Sequence, residues 1–344
     1  MKGGVILVGF IVIAAAAGLI APRYEAEGAL RFVSEMFLYL AMAQMWNLLA
    51  GYAGLLCMGQ QMFVGLGAYA LFYTALQLHV SPYWAMPVAA IFSGVCAALA
   101  ALFMFRLRLV YFAIGTWVLS ELIATFLSRT PAFGGASGYQ LSEVLPLIDF
   151  DWFDATIFWI SGGIALAAVW GSYALMRSHI GLGLMSIRDN DLAASSLGVD
   201  VWRNRLIVFV LAGAGCGLAG AVYFTAQLAV GPSQGFDSNW VVAMMFITIV
   251  GGIGTLEGPI IGTVIYFALR EIFTNVLDLS GSWYLVAVGA AAMAAMLYAP
   301  TGLWPPIRDR FGIAGLSVRR RPPAALRGQA PPETVVTAAD FKSS

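Results

Sequence analysis

Long runs of apolar residues alternate with short polar segments along this chain. A run of about 20 apolar residues is the length that an α-helix needs to cross a bilayer. The pattern predicts about ten such spans, at residues 4–21, 32–50, 56–78, 83–105, 109–128, 155–176, 206–229, 239–254, 258–274 and 283–299. Several runs end at turn formers such as Gly231-Pro232, where helix continuation is penalised. The predicted fold class is an all-α, polytopic transmembrane helical bundle.

The polar segments hold no stretch that reads as a separate globular domain. Residues 1–312 are therefore predicted to form one transmembrane domain. Residues 313–344 contain too few apolar residues to pack and are predicted to be a disordered cytoplasmic tail. The first apolar run follows Lys2 and ends in small residues, as a signal peptide does. Its length, and the membrane character of the rest of the chain, favour a retained first span.

Arginines in short loops predict the orientation, because such loops stay on the cytoplasmic side. Two predicted spans separate the first basic cluster from the second, and four separate the second from the third. Because both numbers are even, the three clusters lie on the same side of the membrane, together with Lys2. The clusters are Arg106 with Arg108, then Arg177, Arg188, Arg203 and Arg205, and finally Arg308, Arg310 and Arg319 to Arg321. Both termini are thus predicted to be cytoplasmic, in a multi-pass protein of the inner (plasma) membrane. Arg23, Arg129 and Arg270 fall on the opposite side under this count.

Composition narrows the function classes. Hydrophobic residues make up 60% of the chain and charged residues 10%, and the formal net charge is zero, which gives no electrostatic footprint for nucleic acid. The single cysteines Cys57, Cys96 and Cys216 predict neither a metal site nor a disulfide. The sequence has no G-x-x-x-x-G-K-[ST] loop, so it does not cradle ATP by that device. No cofactor is expected, and any ATP-driven step has to be carried out by another subunit.

A polar island, GLGLMSIRDNDLAASSLGVD, interrupts the apolar pattern at residues 181–200. Asp189 or Asn190 is placed to cap a helix over residues 191–197, and Gly198 to end it in the left-handed conformation. A helix of about two turns is unstable alone in water, so it needs a partner surface or the membrane face. An ordinary interfacial loop helix is the alternative. The predicted outward face comprises Leu192, Ala193, Ala194, Ser195 and Ser196.

Five motifs, in order along the chain, resemble those of the branched-chain amino-acid permease family, whose members are membrane subunits of ABC importers. The polar island, continued by WRNRLIVFVLAGAGCGLAGAVY, is similar to the family's coupling loop A-I-R-x-x-x-x-A-A-x-x-x-G, with Ser186 in place of the first Ala. The other motifs are NLLAGYAGLLCMGQQMFVGLGAY (47–69), YFAIGTWVLSELI (111–123), GGASG (134–138) and GGIGTLEGPIIGTVIY (251–266). Met58-Gly59-Gln60 and Ala136-Ser137 depart from the family pattern, at positions that bear on the cargo.

The resemblance implies a permease subunit, not an enzyme, that forms half of the translocation path of an ATP-driven importer. Expected partners are ATPase subunits, a second, homologous permease, an extracytoplasmic substrate-binding protein and membrane lipid, but not nucleic acid. The implied cargo is branched-chain or other apolar amino acids, with urea or short amides as an alternative. The residues expected to couple to the ATPase are Ile187, Arg188, Asp189, Asn190, Asp191, Ala193, Ala194 and Gly198.

Polar residues within or beside the spans are candidates for the substrate path. An ionisable residue at the bilayer centre costs about 2.5 to 3.5 kcal/mol on insertion scales, and Glu121 lies in the middle of a span. The candidates are Asn47, Gln60, Gln61, Thr116, Glu121, Gly134, Gly135 and Ser137. Polar residues in spans also hydrogen-bond neighbouring helices, which is the commoner role.

Two other function classes stay open. An ion-driven secondary transporter needs coupling carboxylates within the membrane, and Glu35 and Glu121 are the candidates. An intramembrane enzyme has less support, because the sequence offers no paired nucleophile and base and no His/Asp cluster. The glycine-rich stretches at 51–67 and 251–262 are expected to pack helices closely, with substrate contact as the alternative. Gly213, Gly217 and Gly220 are assigned to packing.

Overall fold

The computed structural model of the chain describes residues 27–107, 110–141, 146, 150–276, 286–287, 289–291, 293, 297 and 302–311. The first predicted span, 4–21, and the predicted tail, 313–344, lie outside the described residues. The last predicted span, 283–299, is described only at scattered positions.

The described residues form a bundle of α-helices. In chain order these are α1 (Glu27–Asn47), α2 (Gln61–Leu78), α3 (Pro82–Met104), α4 (Val110–Arg129), α5 (Phe153–Arg177), α6 (His179–Asp189), α7 (Asp191–Ser196), α8 (Val201–Gln227), α9 (Pro232–Gly235), α10 (Asn239–Gly251), α11 (Gly258–Glu271) and α12 (Trp304–Phe311). π-Helical turns, Leu48–Tyr52 and Ile272–Val276, extend α1 and α11. Each predicted span from 32–50 to 258–274 coincides with a described helix, which confirms the all-α fold class.

In the described part of the chain, four helices are long and apolar enough to cross a membrane: α3, α4, α5 and α8. The α10 and α11 helices contain 13 and 14 residues. Each is therefore about 20 Å long, less than the hydrocarbon thickness of about 30 Å. The count of about ten spans stays a prediction.

Helix α8 lies at the centre of the bundle and packs against α1, α2, α3 and α5. Small residues make this possible. A Cβ atom at Gly67 would overlap the backbone carbonyl of Gly217, and a Cβ atom at Gly217 would overlap the side chain of Ser93. The packing role predicted for the glycines of this helix is confirmed, because a larger side chain would separate α8 from α2 and α3.

A pair of short strands marks the end of the bundle opposite the polar island. Strand β1 (Tyr139–Gln140) pairs antiparallel with β2 (Ala229–Val230). Helix α8 begins beside α6, where a Cβ atom at Gly183 would lie 3.2 Å from Nδ2 of Asn204. It ends at Gln227, two residues before β2 begins, after 27 residues or about 40 Å. The predicted topology likewise places these two segments on opposite sides.

Candidate coupling segment and glycine junction

The polar island holds two helices where the sequence predicted one. Helix α6 ends at Asp189 and α7 begins at Asp191, and Asn190 between them has extended backbone angles, φ −162° and ψ 113°. Helix α6 was not predicted because Gly181 and Gly183 lower the helix propensity of its first turns. Both glycines are buried, and a Cβ atom at Gly181 would overlap the backbone of Met176. They are therefore contact points between α6 and the rest of the bundle.

Helix α7 is short but held at both ends. The Asn190 side-chain oxygen accepts hydrogen bonds from the backbone N–H groups of Leu192, at 3.0 Å, and Ala193, at 3.1 Å. Gly198 follows the helix with a left-handed φ of +83°. The Asp191 carboxylate forms an ion pair with Nη2 of Arg205 at 2.9 Å, which ties α7 to α8. The predicted cap and C-terminal glycine are thus observed.

The outward face of α7 is more apolar than expected. Leu192 is 80% exposed and Leu197 is 81% exposed, whereas Ala194 is only 1% exposed. The prediction that Ala194 belongs to the outward face is therefore wrong, because this residue packs against its own chain. Ile187 in α6 is also buried. The other predicted coupling residues are exposed to solvent: Arg188, Asp189, Asn190, Asp191, Ala193 and Gly198.

Residues from three separate motifs meet in one place, which we call the junction: Asn47, Gly51, Arg188, Gly254 and Thr255. Nη1 of Arg188 donates a hydrogen bond to the carbonyl oxygen of Gly51 at 2.7 Å. The buried Asn47 side chain accepts from the Gly254 N–H at 2.8 Å and donates to the Thr255 carbonyl at 2.7 Å. The polar island and both glycine-rich stretches are therefore linked directly.

Glycine is required at two positions of the junction. Gly254 has a left-handed φ of +73°, and a Cβ atom there would lie 2.7 Å from Nη1 of Arg188. A Cβ atom at Gly51 would lie 2.6 Å from the backbone nitrogen of Gly254. Distances below 3.0 Å cannot be kept without movement, so the backbone of each glycine-rich stretch approaches the other only because both lack side chains.

Two charged side chains, Arg188 of the junction and the neighbouring Glu257, influence the buried Tyr52. Burial is the largest cause that raises the pKa of the Tyr52 phenol, and the nearby carboxylate of Glu257 raises it further. The Arg188 guanidinium acts on the same pKa in the opposite direction. Glu257 and Arg188 are thus both close enough to Tyr52 to act on the pKa of its phenol.

The predicted path residues fall in several places. Asn47 belongs to the junction. Gln60, Gln61 and Thr116 are buried inside the bundle, where Nε2 of Gln60 donates to the sulfur of Cys216 at 3.0 Å. The oxygen of Gln60 and both amide atoms of Gln61 have no hydrogen-bond partner among the described residues. The remaining glycines and serine, Gly134, Gly135 and Ser137, lie beyond the C-terminal end of α4, at the strand end of the bundle.

Glu121 lies on the exposed face of α4 and lines a polar cavity of about 470 Å³. The opposite wall is the segment 232–238, which brings a second carboxylate, Asp237, to the cavity. Nε1 of Trp117 donates to the hydroxyl of Ser238 at 3.3 Å and links the two walls. Hydroxyl groups of Thr125, Ser128, Ser233 and Ser238 complete the polar lining. The described residues include no group of three or more His, Cys, Asp or Glu side chains placed to hold a metal ion.

Comparison with known proteins places these features in a family. A family model described as "Branched-chain amino acid transport system / permease component" matches residues 28–300. The high-affinity branched-chain amino acid transport system permease protein LivM of Salmonella typhimurium is 23% identical over 85% of this chain and 73% of its own length. The ribose import permease protein RbsC of Haemophilus influenzae is 27% identical over 47% of this chain and 46% of its own length.

A shorter match is to the autoinducer 2 import system permease protein LsrC of Klebsiella pneumoniae, which is 35% identical over 34% of this chain and 33% of its own length. No solved structure matches the chain. The family match includes both glycine-rich stretches, the polar island and the apolar helices around them. This chain therefore belongs to the branched-chain amino acid permease family of ABC transporters, and is a multi-pass protein of the inner membrane.

Proposed function

We propose that this chain is the permease subunit of an ATP-driven importer and forms half of the path for branched-chain or other apolar amino acids. The extent of similarity supports this cargo. The relative named for branched-chain amino acid transport matches 85% of the chain, whereas the relative named for ribose import matches 47%. A binding protein outside the membrane would deliver the cargo, and both termini would lie in the cytoplasm.

The observation that carries the proposal is the exposed apolar surface of α7. Leu192 projects from a capped helix of six residues and Leu197 from the position directly after it, yet Ala194 and the Asp191–Arg205 ion pair fix that helix to the bundle. Apolar side chains on a fixed helix at a bundle end mark a surface for a partner protein. We propose that the partner is an ATPase subunit, and that α6 and α7 transmit its closure to the spans.

The exposed face of α4 supports a second permease as a further partner. Glu121 is a carboxylate twelve positions into this 20-residue helix, on a face that also exposes Trp117 and Leu122. In lipid, a charge at this depth costs about 2.5 to 3.5 kcal/mol. A homologous permease facing α4 would enclose the cavity of Glu121 and Asp237 between the two subunits, and the enclosed space would form part of the path.

Purification of the tagged chain from its own membranes tests the proposal. An ATPase subunit should co-purify, and ATP should drive uptake of a branched-chain amino acid into vesicles that contain the complex. Leu192→Asp should lose the ATPase, because it places a charge in an apolar contact, whereas the volume-conserving Leu192→Met should retain it. Uptake by the chain alone, driven by an ion gradient, would instead establish a secondary transporter and refute the proposal.

A further inference from the structure

The contact between Arg188 and Gly51 reaches far along the chain. It joins residues that are 137 positions apart, at 2.7 Å. The other side-chain hydrogen bonds of the described residues 186–196 stay local, between positions 183 and 205. Among these polar contacts, the Arg188 bond therefore connects helices α6 and α7, which we call the coupling segment, to distant helices. The other bonds stabilise the segment itself.

The acceptor of this bond lies at the end of a helix. Gly51 belongs to the π-helical turn that extends α1, and the last carbonyls of a helix lack intrahelical donors. A guanidinium is suited to such a carbonyl, because it carries a fixed charge and several donors. The bond to a charged donor is also stronger than a bond between neutral groups. Displacement of α6 along its axis would thus pull on the end of α1.

The same contact extends to α11. Gly254 packs against both Arg188 and Gly51, and Asn47 holds the Gly254 N–H and the Thr255 carbonyl. The backbone that begins at Gly254 enters α11 four residues later, at Gly258. Helices α1 and α11 also pack against each other directly. Arg188, Gly51 and Gly254 therefore form one contact set on which the ends of α1, α6 and α11 converge.

We propose that Arg188 is a positioning residue that transmits movement of the coupling segment, through Gly51 and Gly254, to helices α1 and α11. This inference rests on the proposed function, because it names Arg188 as the residue that links closure of the ATPase to movement of the spans. Arg188 was expected to contact the ATPase. Its guanidinium instead faces the junction, so its loss should separate ATP hydrolysis from transport while the ATPase stays bound.

The first test measures amino acids transported per ATP hydrolysed by the purified complex. Arg188→Ala should retain the ATPase subunit and hydrolyse ATP, but its transport per ATP should fall severalfold, because movement of α6 is no longer passed to Gly51. Gly254→Ala should have the same effect, because its Cβ atom displaces the guanidinium. Arg188→Lys should restore part of the ratio. Arg203→Ala, which removes an exposed arginine outside the junction, is the matched control and should keep the normal ratio.

A normal ratio in Arg188→Ala, or loss of its ATPase subunit, would overturn the inference and leave the proposed function in place. The second test needs no partner. Nitroxide labels at Leu182→Cys in α6 and Ile253→Cys beside the junction, in a Cys96→Ser background, report the distance between the two segments. The chain with Arg188 should give a narrow distance distribution, and Arg188→Ala a broad one. Equal widths of the two distance distributions would show that Arg188 does not hold the segments together, even if no ATPase is found.

Discussion

Arg270 and Glu35 form an ion pair between α11 and α1, with 2.6 Å between Nη1 and Oε1. The guanidinium also lies 5.5 Å from the ring centre of Phe267. The pair accounts for an arginine that the loop-charge count places on the opposite side, because a paired arginine within a helix does not report on loop orientation. It also engages Glu35, one of the two carboxylates that a secondary transporter would have needed for ion coupling.

Removal of one partner of this pair should destabilise the protein more than removal of both. Arg270→Ala leaves the Glu35 carboxylate uncompensated, and breaking a buried pair in this way costs about 3 to 5 kcal/mol. Because both side chains retain some exposure, we expect a smaller loss, about 2 kcal/mol. The thermal unfolding midpoint in detergent should be lowest in Arg270→Ala and should recover in the double variant Arg270→Gln with Glu35→Gln. Equal midpoints in the single and double variants would show that the two charges are not coupled.

The close approach of α2 and α8 makes a second prediction. Gly67→Ala should destabilise the bundle by about 1 to 3 kcal/mol, the usual cost of overpacking, because its Cβ atom meets the Gly217 backbone. Gly163→Ala in α5 is the matched control. A Cβ atom at Gly163 has no neighbour within 4 Å, so alanine there should stabilise the helix by about 0.5 to 1 kcal/mol. Similar unfolding midpoints for the two variants would contradict the packing of α8 on α2.

The helices were predictable from the sequence because their signals are local. Apolar runs gave the positions of α1 to α5, α8, α10 and α11, and the residues Asn190 and Gly198 gave the ends of α7. Helix α6 was missed because its two glycines lower the local helix propensity. Their role is to allow close contacts with residues outside the helix, which a local pattern does not show. Burial of Ala194 was missed for the same reason, since a small side chain suits an outward face as well as a close contact.

The junction was not predictable, although each of its parts was noted. Asn47 was assigned to the substrate path, Arg188 to the ATPase contact, and the two glycine-rich stretches to packing. Their meeting depends on the arrangement of α1, α6 and α11, which no local pattern encodes. One signal was available: the predicted topology places all three segments at the same end of the bundle. A polar side chain and an arginine beside glycines at one such end are compatible with backbone contacts between the segments.

The left-handed residue after α7 makes a third prediction. A Cβ atom at Gly198 would have no neighbour within 4 Å, so a substitution acts through the backbone and not through a clash. Gly198→Val should distort the end of α7, because β-branched residues avoid positive φ. Gly198→Asn should be tolerated, since asparagine adopts this conformation more readily. We expect the valine variant to insert normally but to recover less ATPase subunit on purification, and the asparagine variant to match the unaltered chain. Equal recovery in both would show that the geometry of this end is not needed.

The last prediction compares two buried side-chain amides, one with hydrogen-bond partners and one without partners among the described residues. Asn47 makes two hydrogen bonds to the backbone of the second glycine-rich stretch, whereas Gln61 makes none to the described residues. Asn47→Leu should lower the unfolding free energy by about 1 to 3 kcal/mol, because the Gly254 N–H and the Thr255 carbonyl lose their partners. Gln61→Leu should cost little or nothing, because Gln61 has no hydrogen bond to the described residues to lose.

Measurements of transport should further distinguish a role of Asn47 in the fold from a role of Gln61 in the substrate path. A buried amide without a protein partner is costly, and it is retained where water or cargo supplies the partner. We therefore expect Gln61→Leu to keep the normal unfolding midpoint while the KM for amino-acid uptake rises. Asn47→Leu should lower the amount of folded protein. Transport per folded molecule should also fall, because the contacts of the junction are weakened. A lower midpoint in Gln61→Leu with unchanged KM would show that its amide supports the fold through bound water and lies outside the path.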